Sequence, residues 1–216
     1  MFQSIQQSYV KSLQLLTPLD GLAPLLLRLI LAPVLIQAGW NKFSHFSDTV
    51  AWFGNSDWGL GLPLPALLAS LAIAAELLGG VLLLLGLFTR LVAIPLLVTM
   101  LVAIFAVHLP NGWPAISDSS SWLADGTILL NERVMASSDK IAAARGLLQQ
   151  HGNYDWLSAS GRLVILNNGI EFAALYFAML LSLLFSGAGR YVSADYWLQH
   201  CLSSAATQSD APKQRV

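Results

Sequence analysis

The chain has 216 residues, 56% of them hydrophobic and 11% charged, and its mean hydropathy is +0.62. A soluble domain carries about 25% charged residues, so much of this chain faces something other than water. A formal net charge of -1 excludes a basic field for nucleic acid, and Cys201, the only cysteine, excludes an internal disulfide, a CxxC redox pair and a thiolate metal cluster.

In chain order, residues 1–18 come first. Phe2, Ile5, Tyr9, Leu13 and Leu16 recur at helical spacing and predict an amphipathic helix lying on a membrane surface. These residues are too polar for the apolar core of a signal peptide. Pro18 ends the element, and Asp20 can cap the first span.

A membrane-spanning helix needs about 20 mainly apolar residues. Four windows qualify, at about 21–40, 65–88, 90–109 and 169–187. Backbone groups in lipid must be satisfied internally, so these windows predict helices. Residues 19–201 thus read as an all-α membrane domain, a four-transmembrane-helix up-down bundle. Between the first two spans, 41–64 reads as a loop whose Trp52, Phe53 and Trp58 suit an interfacial belt. Spans two and three meet in a tight turn at Thr89–Arg90. The long extramembrane segment, 110–168, lies between the third and fourth spans. Within it SSDKIAAARGLLQQHG predicts a surface helix capped at Ser137 or Ser138 and stopped by Gly152. SGRLVIL suits a short strand or an interfacial segment. Residues 202–216 have the composition of a disordered tail. Lys11, Arg90 and Arg190 fall on the side of the termini, against Lys42 and Arg162 opposite, which predicts cytoplasmic termini.

Each span brings an ionisable residue. Arg28 and Lys42 lie fourteen residues apart on the first, which at ~100° per residue leaves them about 40° apart on one face, shared with Gly39. Glu76 sits amid SLAIAAELLGGVLLLLG, where a charge at the helix centre costs roughly 2.5–3.5 kcal/mol on translocon scales. Ala69, Ala72, Gly79 and Gly80 make a small-residue stripe on its helix and allow close packing. His108 ends the third span. Glu171 opens the fourth, with Ala174, Ala178 and Ser182 on its face.

Up-down threading brings Lys42, His108 and Glu171 to the side opposite the termini. Glu76 lies roughly 16 Å deep from that side and leans toward it, because helical side chains tilt toward their own N-terminus. The candidate polar pocket is therefore Lys42, Glu76, His108 and Glu171, with Arg28 on the same face of the first span. Bland roles stand beside this one. Glu76 can be a structural ion-pair partner, and Arg28 and Lys42 can snorkel to an interface. Asn168 and Glu171 can form a capping box, and His108 can be an interfacial hydrogen-bonder. No metal site is read from the sequence: histidines are scattered, and Met1, Met100, Met135 and Met179 form no cluster.

LRLILAPVLIQAGWNKF, with Arg28, Gly39 and Lys42, resembles the opening motif of the DoxX family. ELLGGVLLLLGLFTRLVA, with Glu76, Gly79, Gly80, Gly86, Thr89 and Arg90, resembles its second motif. The later HGNYDWLSASGRLVILNNGIEFAALYFAMLLSLLFSGAGRYVSADYWL is similar to the HvfX-like branch, found beside genes for copper-binding modified peptides. The resemblance implies a multi-pass protein of the bacterial inner membrane. It implies a redox-linked, quinone-associated accessory subunit of a membrane oxidoreductase, or a maturation factor acting with the proteins that process such a peptide. A quinone is the one cofactor it suggests, and the lipid bilayer the one certain partner. The alternatives are a small-molecule or peptide carrier or exporter, and a scaffold for a soluble partner. A copper-handling role predicts thiols or clustered methionines, which this sequence lacks.

Overall fold

A computed structural model describes residues 17–209 together with Gln6, Gln7 and Gln14, with side chains described as far as Leu202. Among the described residues the chain is helical and contains no strand. The helices are α1 (Leu22–Ser44), α2 (Phe46–Gly54), α3 (Pro65–Leu85), α4 (Thr89–Val102), α5 (Glu132–Met135), α6 (Ser137–His151), α7 (Tyr154–Ser158), α8 (Glu171–Ser186) and α9 (Ala194–Ser209). A 3-10 turn, Thr17–Leu19, precedes α1, and α4 runs on through a π turn, Ala103–His108, to Asn111.

Three helical stretches are long and apolar enough to cross a membrane: Thr17–Ser44, Pro65–Leu85 and Thr89–Asn111. Only 22–33% of their most apolar windows is buried within the chain, so most of their leucines and isoleucines face outward. Helices of this length and surface belong in a bilayer, and the chain is a membrane protein. The fourth expected span is shorter. Helix α8 has 16 residues, about 24 Å at 1.5 Å per residue, against a hydrocarbon core of about 30 Å.

The chain divides into two compact units, residues 1–99 with 177–216, and residues 100–176. In the first, α1 and α3 lie against each other. The buried residues of α1 are Pro24, Arg28, Leu31, Ala32, Leu35 and Gly39, and those of α3 are Ala69, Ile73, Glu76, Gly79, Gly80 and Leu83. Both sets step by three and four, the stripe of a helix with one inward face. Glycine permits the close approach. A Cβ on Gly39 would stand 2.7 Å from the Leu77 amide nitrogen, and one on Gly80 2.7 Å from Ile36 Cγ1. Gly79, next in sequence, faces Leu96 and Val92 of α4 instead.

The α3–α4 connection is a Schellman turn. Gly86 takes φ +63°, its N–H reaches the Leu83 carbonyl, and the Leu87 N–H reaches that of Leu82. The turn therefore occupies Gly86–Phe88, ahead of the expected Thr89–Arg90, and Thr89 already opens α4, one residue earlier than expected. Helix α2 lies inside the segment expected as a loop. Phe53 is only 6% exposed there and belongs to the core rather than to an interfacial belt, while Trp58 stays exposed. Asp20 does not cap α1, whose N-cap is Gly21 with no side-chain bond; it pairs with Arg190 at 2.9 Å.

The second unit is held by a ladder of polar contacts between 111–117 and 165–171. Ser117 N–H donates to Ile165 O, Asn167 and Asn168 N–H to Ala115 O, Gly169 to Pro114 O and Glu171 to Trp113 O. Ile116 and Leu166 form an isolated antiparallel bridge, so SGRLVIL contributes one bridge rather than a strand. Helix α6 matches the expected surface helix and stops at Gly152, but Ala136 is its N-cap and Ser137 is buried inside it. Most of the expected amphipathic helix at 1–18, and residues 210–216 of the expected tail, lie outside the described residues. The expected disorder from 202 meets the last turns of α9, which reaches Ser209.

Candidate functional site

Two polar centres lie in the first unit, at opposite ends of the shared face of α1. Arg28, fourteen residues or about 21 Å before Lys42 along the helix, is 0% exposed. Its five N–H bonds all end on backbone carbonyls. Nε donates to Leu83 O at 2.8 Å, Nη1 to Ala188 O at 2.8 Å and Tyr191 O at 3.4 Å, and Nη2 to Leu84 O at 3.1 Å and Val192 O at 2.7 Å. Leu83 and Leu84 lie at the end of α3, where carbonyls lose their regular helical partners, Leu83 O accepting the Gly86 N–H as well, and 188–192 link α8 to α9. The guanidinium also lies on Gly86, where a Cβ would stand 2.7 Å from Arg28 Cζ. Arginine offers five donors in a planar fork, and here none remains for a ligand. Arg28 fastens one end of the unit and does not adjoin Glu76.

Asp195 completes this end. Its Oδ1 accepts the Phe88 N–H at 2.7 Å and Oδ2 the Thr89 N–H at 3.0 Å, which caps α4 from a distant part of the chain. Ser193 accepts the Tyr196 N–H and so caps α9. Beside these, Arg90, Asp195, Tyr196, Gln199 and residues 186–189 line a cavity of about 200 Å³. Asp195 and Ser193 had no role in the sequence reading. Ser-Ala-Asp marks a helix start, yet nothing in it says that the carboxylate serves a turn more than a hundred residues earlier.

The second centre is Lys42 with Glu76. Lys42 Nζ donates to Glu76 Oε2 at 2.6 Å, and Glu76 is 4% exposed while the lysine side chain is 27% exposed. Lysine closes the buried stripe of α1, one turn past Gly39, and glutamate takes its place in the stripe of α3 between Ile73 and Gly79. The close approach through Gly39 brings Glu76 Cβ within 3.1 Å of the point where a Gly39 Cβ would be, so the same small residue makes room for the ion pair. One ammonium N–H is used on Glu76, and no other acceptor for it is found among the described residues.

His108 and Glu171 belong to the second unit, each with a backbone partner there. His108 Nδ1 lies 2.9 Å from Asn168 O, and Glu171 Oε2 accepts the Ala115 N–H at 2.9 Å. Glu171 thus holds the extended segment at 111–117 rather than returning to Asn168, whose φ is +60°. Asn167, 4% exposed, donates to Asn111 O and Pro114 O and was missed in the sequence. The buried face of α8 is Ala173, Leu180 and Leu183, not Ala174, Ala178 and Ser182. Among the described residues no three His, Cys, Asp or Glu side chains come together as metal ligands would.

Residues 23–109 match the DoxX family. A protein of Bacillus subtilis (strain 168), "Putative oxidoreductase CatD", is 36% identical over 85 residues, which is 39% of this chain and 59% of that relative. The chain thus spans less than two thirds of the length of the curated relative it matches. No solved structure matches the chain. The matched region contains both Arg28 with its α3 acceptors and the Lys42–Glu76 pair.

Proposed function

We propose that this chain is a DoxX-family protein of the bacterial inner membrane, and that it works as a redox-linked, quinone-associated accessory subunit. In this reading α1, α3, α4 and α8 cross the bilayer up and down with the termini in the cytoplasm. The observation that carries it is the Lys42–Glu76 pair, a charge couple almost withdrawn from water within helices of spanning length. An ionisable pair in that setting is costly to keep unless it is used or fully compensated. The similarity to a protein named as an oxidoreductase supports redox chemistry over transport.

A quinone supplies a two-electron, two-proton couple when bound. Its apolar body and polar head need an apolar slot with few polar groups. Lys42 can donate an unspent N–H to a head-group oxygen, and Glu76, through its shared hydrogen bond, can hold or release a proton at Oε2. The test is extraction of wild-type and Lys42→Met/Glu76→Gln protein in native-lipid nanodiscs, with bound quinone measured by mass spectrometry. Wild type should carry quinone above the level of empty nanodiscs, and the folded double variant should not. Equal quinone in both would remove the pair from the site.

A further inference from the structure

The second unit carries a tight hairpin at Trp122–Leu130, WLADGTILL, whose large side chains point outward. Trp122, Ile128, Leu129 and Leu130 are 47–68% exposed. Three of them are consecutive, and the only charge is Asp125, which accepts the Thr127 N–H at 2.8 Å. We infer that this hairpin inserts into the lipid surface beside the end of the α4 helical run and anchors the second unit to the bilayer.

Three observations within the unit select lipid as the occupant. The first is position. Asn131, directly after the hairpin, donates through Nδ2 to the Asn111 carbonyl at 2.9 Å, and Asn111 is the last residue of the spanning stretch Thr89–Asn111. Ile128 comes three positions before Asn131, so it stays within about 11 Å of the residue that is hydrogen-bonded to that exit point. The second is the backbone. Every N–H from Leu123 to Leu129 is donated within the hairpin and its first turn: Leu123 to Ser121 Oγ, Ala124 and Asp125 to Ser121 O, Gly126 to Leu129 O, Thr127 to Asp125, and Ile128 and Leu129 to Trp122 O. A segment entering lipid must satisfy its own backbone, whereas one built to take a partner strand keeps donors free. The third is composition. Tryptophan with aliphatic neighbours suits the interface, and the hairpin itself carries no basic residue to draw it to anionic headgroups, the nearby Arg133 being engaged with Asn111 Oδ1 at 3.0 Å. The outward faces of Phe105 and Leu109, both exposed on the same helical run, continue the apolar surface to which the hairpin is pinned.

The test uses the full chain with Cys201→Ser and a single new cysteine, Leu129→Cys, carrying an environment-sensitive NBD label, in phosphatidylcholine nanodiscs. A label at Ala143→Cys, exposed on α6, is the reference. The label at 129 should emit to the blue of the reference and be quenched several-fold more by lipids spin-labelled just below the headgroup, with no change on adding phosphatidylglycerol. Ile128→Cys repeats the measurement if the first variant is not monodisperse. Equal quenching at the hairpin and at 143 overturns the inference. Protection that appears only in native membranes, and not in nanodiscs of pure lipid, also overturns it, because the cover is then a protein.

Discussion

Replacing Arg28 by lysine keeps the charge and removes two N–H donors, since an ammonium has three where a guanidinium has five. At least two of the carbonyls of Leu83, Leu84, Ala188, Tyr191 and Val192 then lose their bond. A buried acceptor left without a donor costs about 1–3 kcal/mol. Only the bonds to Leu83 and Ala188 are wholly buried, and water can reach the rest, so the lower half of that range applies to the two lost bonds. The sum is about 2–4 kcal/mol. A chain of this size loses roughly 2–4 °C of Tm per kcal/mol, which places the fall at about 4–16 °C. The assay is thermal unfolding of purified protein in mild detergent, followed by tryptophan fluorescence. Arg28→Met, which strips all five bonds, should fall further still. A lysine variant melting within about 2 °C of wild type would refute the view that Arg28 acts through its complete set of donors.

Lys42→Met leaves a nearly buried carboxylate alone and should cost about 3 kcal/mol, the low end for a broken pair because the lysine is partly exposed; Lys42→Met with Glu76→Gln should cost less than either single change, and a coupling under about 0.5 kcal/mol in that cycle would show that the two groups do not sense each other. Gly39→Ala should destabilise by about 1–3 kcal/mol, because its Cβ meets the Leu77 backbone, while Gly146→Ala, with nothing within 4 Å, should be neutral or stabilising by up to about 1 kcal/mol; equal melting of the two variants would remove close approach as the reason for Gly39. Asp195→Ala should cost about 1 kcal/mol as a lost helix cap and Asp195→Asn less, and an unchanged melting curve for the alanine form would dismiss the capping role.

The apolar stripes of α1 and α3 were legible because inward and lipid-facing residues differ in size and polarity even where all are apolar. Glycine, alanine and the odd charge mark the inner face. That pattern alone put Arg28, Gly39 and Lys42 on one side of α1 and turned Glu76 inward. It could not say that Arg28 and Lys42 serve different ends of the helix, because the partners of Arg28 are backbone carbonyls, which carry no residue signature. Helix α2 was hidden by the glycines and polar residues around it, although Phe46, Val50 and Phe53 have helical spacing. The beginning of α8 misled in another way. Asn-Asn-Gly-Ile-Glu has the spacing of a capping box, but the carboxylate found a backbone N–H at Ala115 in a neighbouring segment, and local pattern cannot anticipate a tertiary competitor.

The guanidinium of Arg28 also sets an order on biosynthesis. A ribosome makes Arg28 early and the carbonyl of Ala188 a further 160 residues later. Leu83 and Leu84 are made first and can take two of the five Arg28 N–H groups, while the other three wait for acceptors that do not yet exist, in surroundings where an unsatisfied polar group is costly. The lock closes fully only when 188–192 have been delivered to the end of α3. A chain that stalls or is cut before residue 188 leaves three of the five Arg28 N–H groups without their acceptors inside an otherwise apolar helix.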